Sequence, residues 1–353
     1  MNVAVSLSLK AEPVDLADPR HALRIDSFVK EIGASVFHRT DWLRAVERAT
    51  GQRAGGFVVE QLGVIRGWLP LTEVRSMLFG KALVSSGFGV GGGICADTPE
   101  AASVLAQAAR DYAASLGFGS VELRGGEVPE GWQAIRDKHC GFERGLAADD
   151  EAELLAIPRK SRAEVRKGLK NGLEVEIGRS SKDLTAHYSV YSESVRNLGT
   201  PVFPKALFRK MLEAFPDESD ILTIAREGKP LASVLSFYHN GAVLPFWGGG
   251  SFAARGARAN ELMYYELMRH ARARGMQRFD FGRSKTGSGP AKFKKNWGFE
   301  PQPLTYAMWT PPGAEARDVD PTSEAYSRKI ELWKKLPLPI ANTIGPIIAR
   351  GLA

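Results

Sequence analysis

A glycine-rich, positively charged stretch near the end of the chain carries the residues best suited to chemistry. The range Phe279–Glu300 opens with a short apolar alternation, typical of a buried strand, and continues into a glycine-rich loop. Pro290 suits the first turn of a short helix, predicted over Ala291–Trp297. The stretch contains five cations: Arg283, Lys285, Lys292, Lys294 and Lys295. A glycine loop, a helix N-terminus and several cations together favour a bound phosphate or carboxylate, and a solvated basic loop is the alternative.

A second concentration of positive charge lies near the middle of the chain. The range Pro158–Gly172 starts with a proline and stops at a glycine, which predicts a helix. Val165 and Leu169 are expected to face inward, and four cations recur at steps of three and four on another face: Arg159, Arg162, Arg166 and Lys170. The ranges Pro158–Gly172 and Gly282–Trp297 each carry a net charge of +5 against +7 for the whole chain, so the remaining residues are slightly acidic. An anionic partner is therefore expected at these places rather than over the whole surface.

Length and composition indicate a globular protein with room for two domains. The chain has 353 residues, of which 44% are hydrophobic and 25% charged. Its two cysteines, Cys95 and Cys140, fit neither a disulfide framework nor a metal site, so we expect no metal. The first ten residues alternate like a strand and lack the basic start of a signal peptide, and no apolar run reaches the roughly 18 residues of a membrane span. We expect a cytoplasmic protein, with peripheral contact at the inner face of the membrane left open.

The sequence contains an internal repeat. The triple glycine at 91–93 matches that at 248–250, and Leu116–Arg124 matches Arg274–Gly282, at offsets of 157 and 158. Cys140-Gly-Phe-Glu matches Trp297-Gly-Phe-Glu at an offset of 157. Three glycine-centred matches at one spacing predict two tandem copies of one unit.

Each copy shows the same predicted order of elements. Two helices are followed by a strand hairpin, the triple-glycine strand end, a long helix, a short buried strand and the Gly-Phe-Glu strand. In the first copy the two helices are predicted over Ser27–Gly33 and Thr40–Thr50, the second with Thr40 as N-cap and Gly51 as its stop. The hairpin turns are predicted at Gln61-Leu62-Gly63 and Glu227-Gly228-Lys229. This order predicts an α+β fold. The predicted divisions are a first domain at 1–150, a second at 151–310 that carries the site, and a proline-rich segment with a C-terminal helical tail at 311–353. The tail includes a helix near Glu324–Lys335 and an uncharged run, Leu336–Ala349, expected to pack on the protein rather than lie on a membrane.

Two segments carry a resemblance to a known family. The order of elements in each copy resembles the GNAT acyltransferase fold, and a tandem pair joined by a basic helix is similar to the FemAB family of aminoacyl and peptidyl transferases. The basic helix resembles that family's "RxxIRKAxKxGV" segment, and Phe293-Lys-Lys-Asn-Trp-Gly298 resembles its "FKxxFG" segment. With Phe281-Gly-Arg-Ser-Lys285, the pattern is most similar to the FemAB-like proteins of exosortase (PEP-CTERM) and exopolysaccharide systems.

The resemblance implies an acyl transfer and a set of site residues. The donor would be aminoacyl-tRNA or acyl-CoA as co-substrate, with no tightly bound cofactor. The acceptor would be an amine on a phosphorylated, lipid-linked or nucleotide-linked sugar. Lys294 falls on the family's lysine, which stabilises developing negative charge. Arg283, Lys285 and Lys292 would bind substrate phosphate, as would Arg162 and Arg166 unless they belong to a purely structural linker helix.

Three further residues are weaker candidates. Asp280 could act as a general base at a strand end, although its repeat equivalent, Glu122, favours a structural role. Tyr238 and Trp247 could line an acceptor channel, although aromatic residues on strands more often pack in a core.

Departures from the pattern leave other functions open. A coenzyme-A-binding GNAT protein has a glycine-rich pyrophosphate loop before its long helix, whereas here Arg258 stands where its first glycine belongs. An acyl-CoA N-acyltransferase therefore remains as an alternative. Others are a non-catalytic module that binds an anionic glycan or lipid-linked sugar, and a tRNA-binding protein.

Overall fold

The computed structural model describes residues 9–314 and 324–352, and these residues form two compact units. One comprises residues 9–136, 305–314 and 350–352, and the other residues 137–304 and 324–349. Most of the predicted N-terminal strand lies outside the described residues. The predicted divisions fall after residues 150 and 310. In the structure, residues 137–150 belong to the second unit and residues 305–310 to the first.

The first unit is a mixed sheet covered by helices. Its strands lie in the order β1-β2-β3-β4-β6-β14, with β5 paired to β3; β4 and β6 are parallel and the other pairs antiparallel. Its elements are β1 (Ala11–Pro13), α1 (Pro19–Glu31), α2 (Thr40–Thr50), β2 (Ala54–Gln61), β3 (Val64–Ser76), β4 (Gly80–Val84), β5 (Cys95–Ala96), α3 (Pro99–Ser115), β6 (Ser120–Arg124) and the end of β14 (Pro301–Trp309).

The second unit repeats this plan. Its strands lie in the order β7-β12-β11-β10-β9-β8, with β13 paired to β7 and only β11 and β12 parallel among these pairs of described strands. Its elements are the end of β7 (Gln133–Gly145), α4 (Asp150–Ala156), α5 (Arg159–Lys170), β8 (Glu174–Gly178), α6 (Ser181–Leu198), α7 (Lys205–Ala214), β9 (Ser219–Arg226), β10 (Lys229–His239), β11 (Ala242–Gly250), α8 (Ala254–Ala257), α9 (Ala259–Ala273), β12 (Arg278–Asp280), β13 (Ser284–Lys285), α10 (Gly289–Asn296), α11 (Glu324–Lys334) and α12 (Leu338–Ala349).

The hairpins of the two units have turns of the same geometry. The turn between β2 and β3 places Leu62 and Gly63 at φ of 52° and 79°, and the turn between β9 and β10 places Glu227 and Gly228 at 51° and 70°. Two successive positive φ angles are the signature of the tight turn that matches strand twist, and glycine takes the second position without strain.

The strands beside the predicted site diverge. β11 pairs with β12 only at Ala242 with Arg278 and at Val243 with Phe279, and then β11 continues to Gly250. β12 instead ends at Asp280 and passes into the glycine-rich loop. After Asp280 the chain thus separates from β11 but stays hydrogen-bonded to β7, first through the Phe281 amide and then through β13.

Two local predictions were wrong. The first helix, expected from Ser27, begins at Pro19, because Asp18 caps it by accepting a hydrogen bond from the Arg20 amide. Leu169, expected to face inward, is 46% exposed. The buried positions of α5 are Val165 and Gly168. Gly168 packs so closely that an added Cβ would lie only 3.0 Å from the Arg258 carbonyl oxygen.

The uncharged run near the C-terminus forms a helix, α12, that packs in the second unit. Gly345 lies so close to Val202 that an added Cβ would be 3.1 Å from its amide nitrogen, and the Asn342 amide donates to Ser192 Oγ at 3.3 Å. Within residues 9–314 and 324–352, no helix combines the length and apolar character that crossing a bilayer requires.

Candidate active site

The loop after β12 has the geometry that its glycines and proline predict. Gly282 and Gly287 adopt φ of 70° and 75°, which let the chain turn twice around the short strand β13. Ser288 then caps α10 by accepting a hydrogen bond from the Ala291 amide at 3.3 Å, and Pro290 lies in the first turn. The predicted short helix is thus confirmed, starting two residues earlier than expected.

Lys294 is the buried cation of this loop. Its side chain rises from α10 and donates from Nζ to the carbonyl oxygens of Gly282 at 3.2 Å and Arg283 at 3.1 Å. The residue is only 9% exposed, and among the residues that the structure describes no carboxylate lies within ion-pairing distance of Nζ. The ammonium therefore depends on carbonyl dipoles rather than on a counter-charge.

Two aromatic rings complete the surroundings of this ammonium. Nζ lies 5.4 Å from the ring centres of both Phe142 and Phe281, within the range of a cation–π interaction. Burial lowers the pKa of Lys294 to about 8, against the opposing attraction of Asp280. At neutral pH the side chain is still mostly protonated, so a positive charge is held in a weakly polar site.

Asp280 lies at the end of β12 beside this lysine. Its Oδ1 accepts a hydrogen bond from the Gly282 amide at 2.9 Å, which stabilises the turn. Burial raises the pKa of Asp280, with Glu143 adding to the rise and the Gly282 amide and Lys294 opposing it. A carboxylate with a raised pKa suits a proton acceptor, whereas the bond to Gly282 suits a structural role.

The other cations of the loop differ in exposure. Arg283 and Lys285 are half-buried, whereas Lys292 and Lys295 are exposed on α10. Arg283 contributes its backbone carbonyl to Lys294, a contact that no sequence pattern predicted. The structure thus brings Lys294, Asp280 and the backbone of Gly282 and Arg283 together, and leaves Lys292 on the surface.

The basic helix α5 lies against the first turn of α9 with part of its charge in solvent. Arg166 is exposed, and half-buried Arg162 has its Nη1 3.5 Å from the Leu155 carbonyl oxygen. Glu164 forms an ion pair with Arg258 at 2.5 Å, and Asn171 just beyond the helix donates to the Ala257 carbonyl at 2.8 Å. These contacts fix α5 in place, and Arg166 remains available to a partner.

Tyr238 and Trp247 both lie in the core of the second unit. The Tyr238 hydroxyl donates to Asp220 Oδ1 at 2.8 Å, and that carboxylate also binds His270 and Arg274. Trp247 is 4% exposed and packs edge-to-face against four phenylalanines: Phe203, Phe208, Phe237 and Phe246. Their placement favours the packing alternative over an acceptor channel.

Sequence reasoning missed the aromatic residues that approach the site from distant segments. Phe142 lies about 150 residues before Lys294, so its role depends on the strand arrangement and leaves no local signal. Tyr264, whose pKa burial raises to about 12, packs on Phe281, and Ser284 Oγ is buried without a hydrogen-bond partner among the described residues.

Residues 9–314 and 324–352 contain no cluster of three or more acidic, histidine or cysteine side chains placed to hold a metal ion.

Comparison with known proteins gives a family match over part of the chain. Residues 159–295 match the family described as "Acetyltransferase (GNAT) domain". That segment includes the basic helix, the diverging strands and Lys294. No curated protein matches the chain by sequence.

Several solved structures share the fold across most of the chain. A structure of FemX covers 84% of this chain and 96% of its own, with a TM-score of 0.63 and 14% identity. A tandem GNAT protein from the clavulanic acid biosynthesis pathway covers 87% and 100%, with a TM-score of 0.56 and 12% identity. The C-terminal domain of a protein described as a lysylphosphatidylglycerol synthetase of Agrobacterium fabrum covers 83% and 92%, with a TM-score of 0.57 and 13% identity. The chain has a tandem GNAT fold. The predicted α+β architecture is therefore confirmed.

Proposed function

We propose that this protein is a FemAB-like acyltransferase. It moves an aminoacyl or acyl group from an activated donor to an amine on a sugar-peptide or polysaccharide-linked acceptor, in the building of the cell envelope or an exopolysaccharide. The amine attacks the donor carbonyl, a C–N bond forms, and the C–O or C–S bond to the carrier breaks. The amine proton leaves to a base, and the carrier takes up a proton as it departs.

The observation that carries this proposal is the buried ammonium of Lys294. Attack on the carbonyl builds negative charge on its oxygen, and a cation held in a dry site stabilises that charge without having to reorganise. Two of the three ammonium donors bind the carbonyls of Gly282 and Arg283. The third donor is then left for the oxyanion or for a phosphate oxygen of the acceptor.

In this proposal Asp280 would receive the proton of the attacking amine. Its raised pKa brings the carboxyl group closer to the working pH, at which general-base catalysis is most efficient. Arg283 and Lys285 lie in the same loop, where they would bind acceptor phosphate. Lys292, being exposed, would contribute to capture of the anionic acceptor rather than to the reaction itself.

The packing of α5 on α9 favours aminoacyl-tRNA over acyl-CoA as donor. In the GNAT fold the amides at the start of the long helix bind pyrophosphate, and here that helix, α9, begins at Arg258 in a left-handed conformation, φ 61°. Gly168 lies against the Arg258 carbonyl, and Asn171 donates to the preceding Ala257 carbonyl. The helix α5 therefore packs on the backbone at the start of α9, where the pyrophosphate of coenzyme A would bind.

Isothermal titration with coenzyme A tests the choice between the two donors. Micromolar binding would favour an acyl-CoA N-acyltransferase instead.

The decisive experiment compares two neighbouring lysine variants. Lys294→Met removes the buried charge at similar side-chain length, and Lys295→Met removes an exposed charge one residue away. With a mixed, radiolabelled aminoacyl-tRNA pool and a nucleotide-linked sugar-peptide acceptor, we expect Lys294→Met to lower transfer about 10²–10³-fold and Lys295→Met to leave it near normal. Near-normal transfer by Lys294→Met, with its fold checked by circular dichroism, would refute the assignment.

A non-catalytic module that binds an anionic glycan is the second candidate, favoured by the exposed cations of α5 and α10. Such a protein would bind its ligand in a salt-sensitive way and show no transfer with either donor. The same contrast separates a tRNA-binding protein, whose affinity would fall steeply with salt while no acyl group moved. Mass spectrometry of ligands that co-purify with the native chain would identify donor or acceptor directly.

A further inference from the structure

The helix α12 buries small residues and exposes large apolar ones, the reverse of the usual arrangement in a surface helix. The face packed in the second unit is made of small residues, Ala341, Gly345 and Ala349, all buried. The opposite face carries Ile340, Ile344 and Ile347, which are 49%, 37% and 65% exposed. A surface helix normally buries its large apolar residues and exposes polar ones.

The packed face cannot accept those isoleucines without rearrangement. A Cβ added at Gly345 would already lie 3.1 Å from the Val202 amide nitrogen and 3.2 Å from a methyl carbon of the same residue. The small side chains are thus required for packing, whereas nothing in the described fold requires isoleucine on the other face. A contiguous apolar surface of this kind marks an interaction site.

The charges before this helix indicate what covers it. The sequence of α12, Leu338–Ala349, contains no charged residue. Residues 328–337 contain Arg328, Lys329, Lys334 and Lys335 against the single acid Glu331, which forms an ion pair with Lys334 at 2.7 Å, together with half-buried Trp333. An apolar helix face that follows a cluster of lysines and a tryptophan complements an anionic lipid surface, where the isoleucines enter the boundary between headgroups and acyl chains.

A second copy of the chain fits this face less well. Three partly exposed isoleucines on one short helix present far less area than the roughly 800 Å² that each partner buries in a stable protein complex. A bilayer needs no matching shape, and a helix of this kind with adjacent cations is sufficient for reversible binding.

We propose that α12 is a membrane-surface helix that binds an anionic phospholipid bilayer through Ile340, Ile344 and Ile347, with Arg328, Lys329 and Lys335 close to the lipid phosphates. The observations that support it do not involve Lys294, so this surface stands or falls separately from the proposed acyl transfer. It would place a soluble transferase where a lipid-linked acceptor is concentrated.

Vesicle flotation of the full chain tests the proposal. Vesicles of phosphatidylcholine with 30% phosphatidylglycerol are compared with pure phosphatidylcholine, a composition chosen as roughly that of a moderately anionic membrane. We expect flotation with the anionic vesicles and at least about tenfold less with the neutral ones. Absence of flotation with the anionic vesicles, or equal flotation with both, would overturn it.

Matched variants assign the binding to this helix. The triple variant Ile340→Ser, Ile344→Ser, Ile347→Ser is expected to lose flotation. The control Leu155→Ser, Ile177→Ser, Leu198→Ser changes three other exposed apolar residues of the same unit and is expected to retain it. Unchanged flotation of the first variant contradicts the proposal. A concentration-dependent dimer that the first variant loses in sedimentation, without flotation of the native chain, would assign the face to a second copy instead.

The cation cluster is tested in the same way. Arg328→Gln, Lys329→Gln, Lys335→Gln should weaken flotation and its sensitivity to salt, because fewer cations then meet the lipid phosphates. The control Lys30→Gln, Lys81→Gln, Lys229→Gln removes three exposed lysines elsewhere and should leave flotation unchanged. Equal effects of the two variants would show that net charge, and not this helix, drives binding, and would contradict the proposal.

Discussion

Each unit has a buried cation beside the equivalent strand, β6 in the first unit and β12 in the second, but the cation comes from a different position in the sequence. In the first unit Glu122, on β6, accepts a hydrogen bond from Arg124 Nε at 2.8 Å, and Arg124 Nη1 donates to the Gly89 carbonyl at 2.7 Å. In the second unit the residue equivalent to Glu122 is Asp280, and Gly282 stands where Arg124 would be. The buried cation there is Lys294, which comes from α10 and binds two carbonyl oxygens.

This difference separates a structural cation from one that is free to act. The charge of Arg124 is balanced by Glu122 within the same strand, so it stabilises the fold and has little left for a ligand. Lys294 forms no ion pair among the described residues: carbonyl dipoles, two rings and the attraction of Asp280 act on its charge, and burial lowers its pKa. Perturbed groups of this kind concentrate at functional sites.

The backbone explains how the second unit acquired its cation. The residue equivalent to Lys294 in the first repeat is Asp137, which lies in the long strand β7, Gln133–Gly145. In the second repeat the corresponding segment folds into α10, which turns the chain back over the loop. A helix in place of a strand thus brings a side chain to the end of β12.

The largest contrast should appear in stability. Arg124→Met removes the ion pair with Glu122 and the hydrogen bond to the Gly89 carbonyl, which should lower the free energy of unfolding by about 3 kcal/mol. Arg136→Met, at an exposed position of the same unit, should cost less than about 0.5 kcal/mol. Urea unfolding followed by circular dichroism measures both. Equal stability of the two variants would contradict a structural role for Arg124.

A second contrast should appear in the pH dependence of Lys294. Its pKa in the fold, about 8, lies below the usual 10.5, so between these values the unfolded chain binds the proton that the folded chain has released. Stability should therefore rise with pH in that range, by up to about 3 kcal/mol relative to Lys294→Met. Transfer should instead fall as pH passes 8, because the oxyanion loses its cation.

A lysine with only a structural role would not show a stability that rises with pH together with an activity that falls. Urea titrations of the native chain and Lys294→Met at pH 7.5 and 10 give the first slope, and initial transfer rates over the same range give the second. Lys295→Met serves as the control and should follow the native chain in both. If the stability difference between the native chain and Lys294→Met did not change with pH, burial would not perturb the pKa of Lys294.

Much of this fold was accessible from the sequence, because local rules govern it. The repeat of triple glycines and Gly-Phe-Glu fixed the order of elements, and both hairpin turns fell at Leu62-Gly63 and Glu227-Gly228, where the chain needs positive φ. The helix Thr40–Thr50 has the predicted bounds, because Gly51 terminates it at φ of 72°, but its N-cap is Arg39 and not Thr40 as expected. Turn and cap residues act within a few positions of themselves, so they can be read locally.

The site was accessible only in part, because its contacts join distant segments. The cations of the loop predicted an anion-binding region, but they did not distinguish buried Lys294 from exposed Lys292. That distinction depends on how α10 packs and on Phe142, which arrives from β7. The pairing of β12 with β7 depends in the same way on contacts across more than 100 residues, such as Asp280 with Glu143.

The smallest contrast concerns the glycine that replaces Arg124 in the second unit. Gly282 adopts φ of 70°, and a Cβ added there would meet no atom within 4 Å, so Gly282→Ala tests backbone conformation alone. We expect a stability loss of about 1 kcal/mol, because alanine disfavours this conformation, and a roughly tenfold loss of transfer as the carbonyl beneath Lys294 shifts. Gly275→Ala, with φ of 80° and equally open space, should show the same stability loss with normal transfer. If both variants transferred equally well, the Gly282 carbonyl would have no part in positioning Lys294, and the second unit would owe its charged site to side-chain packing alone.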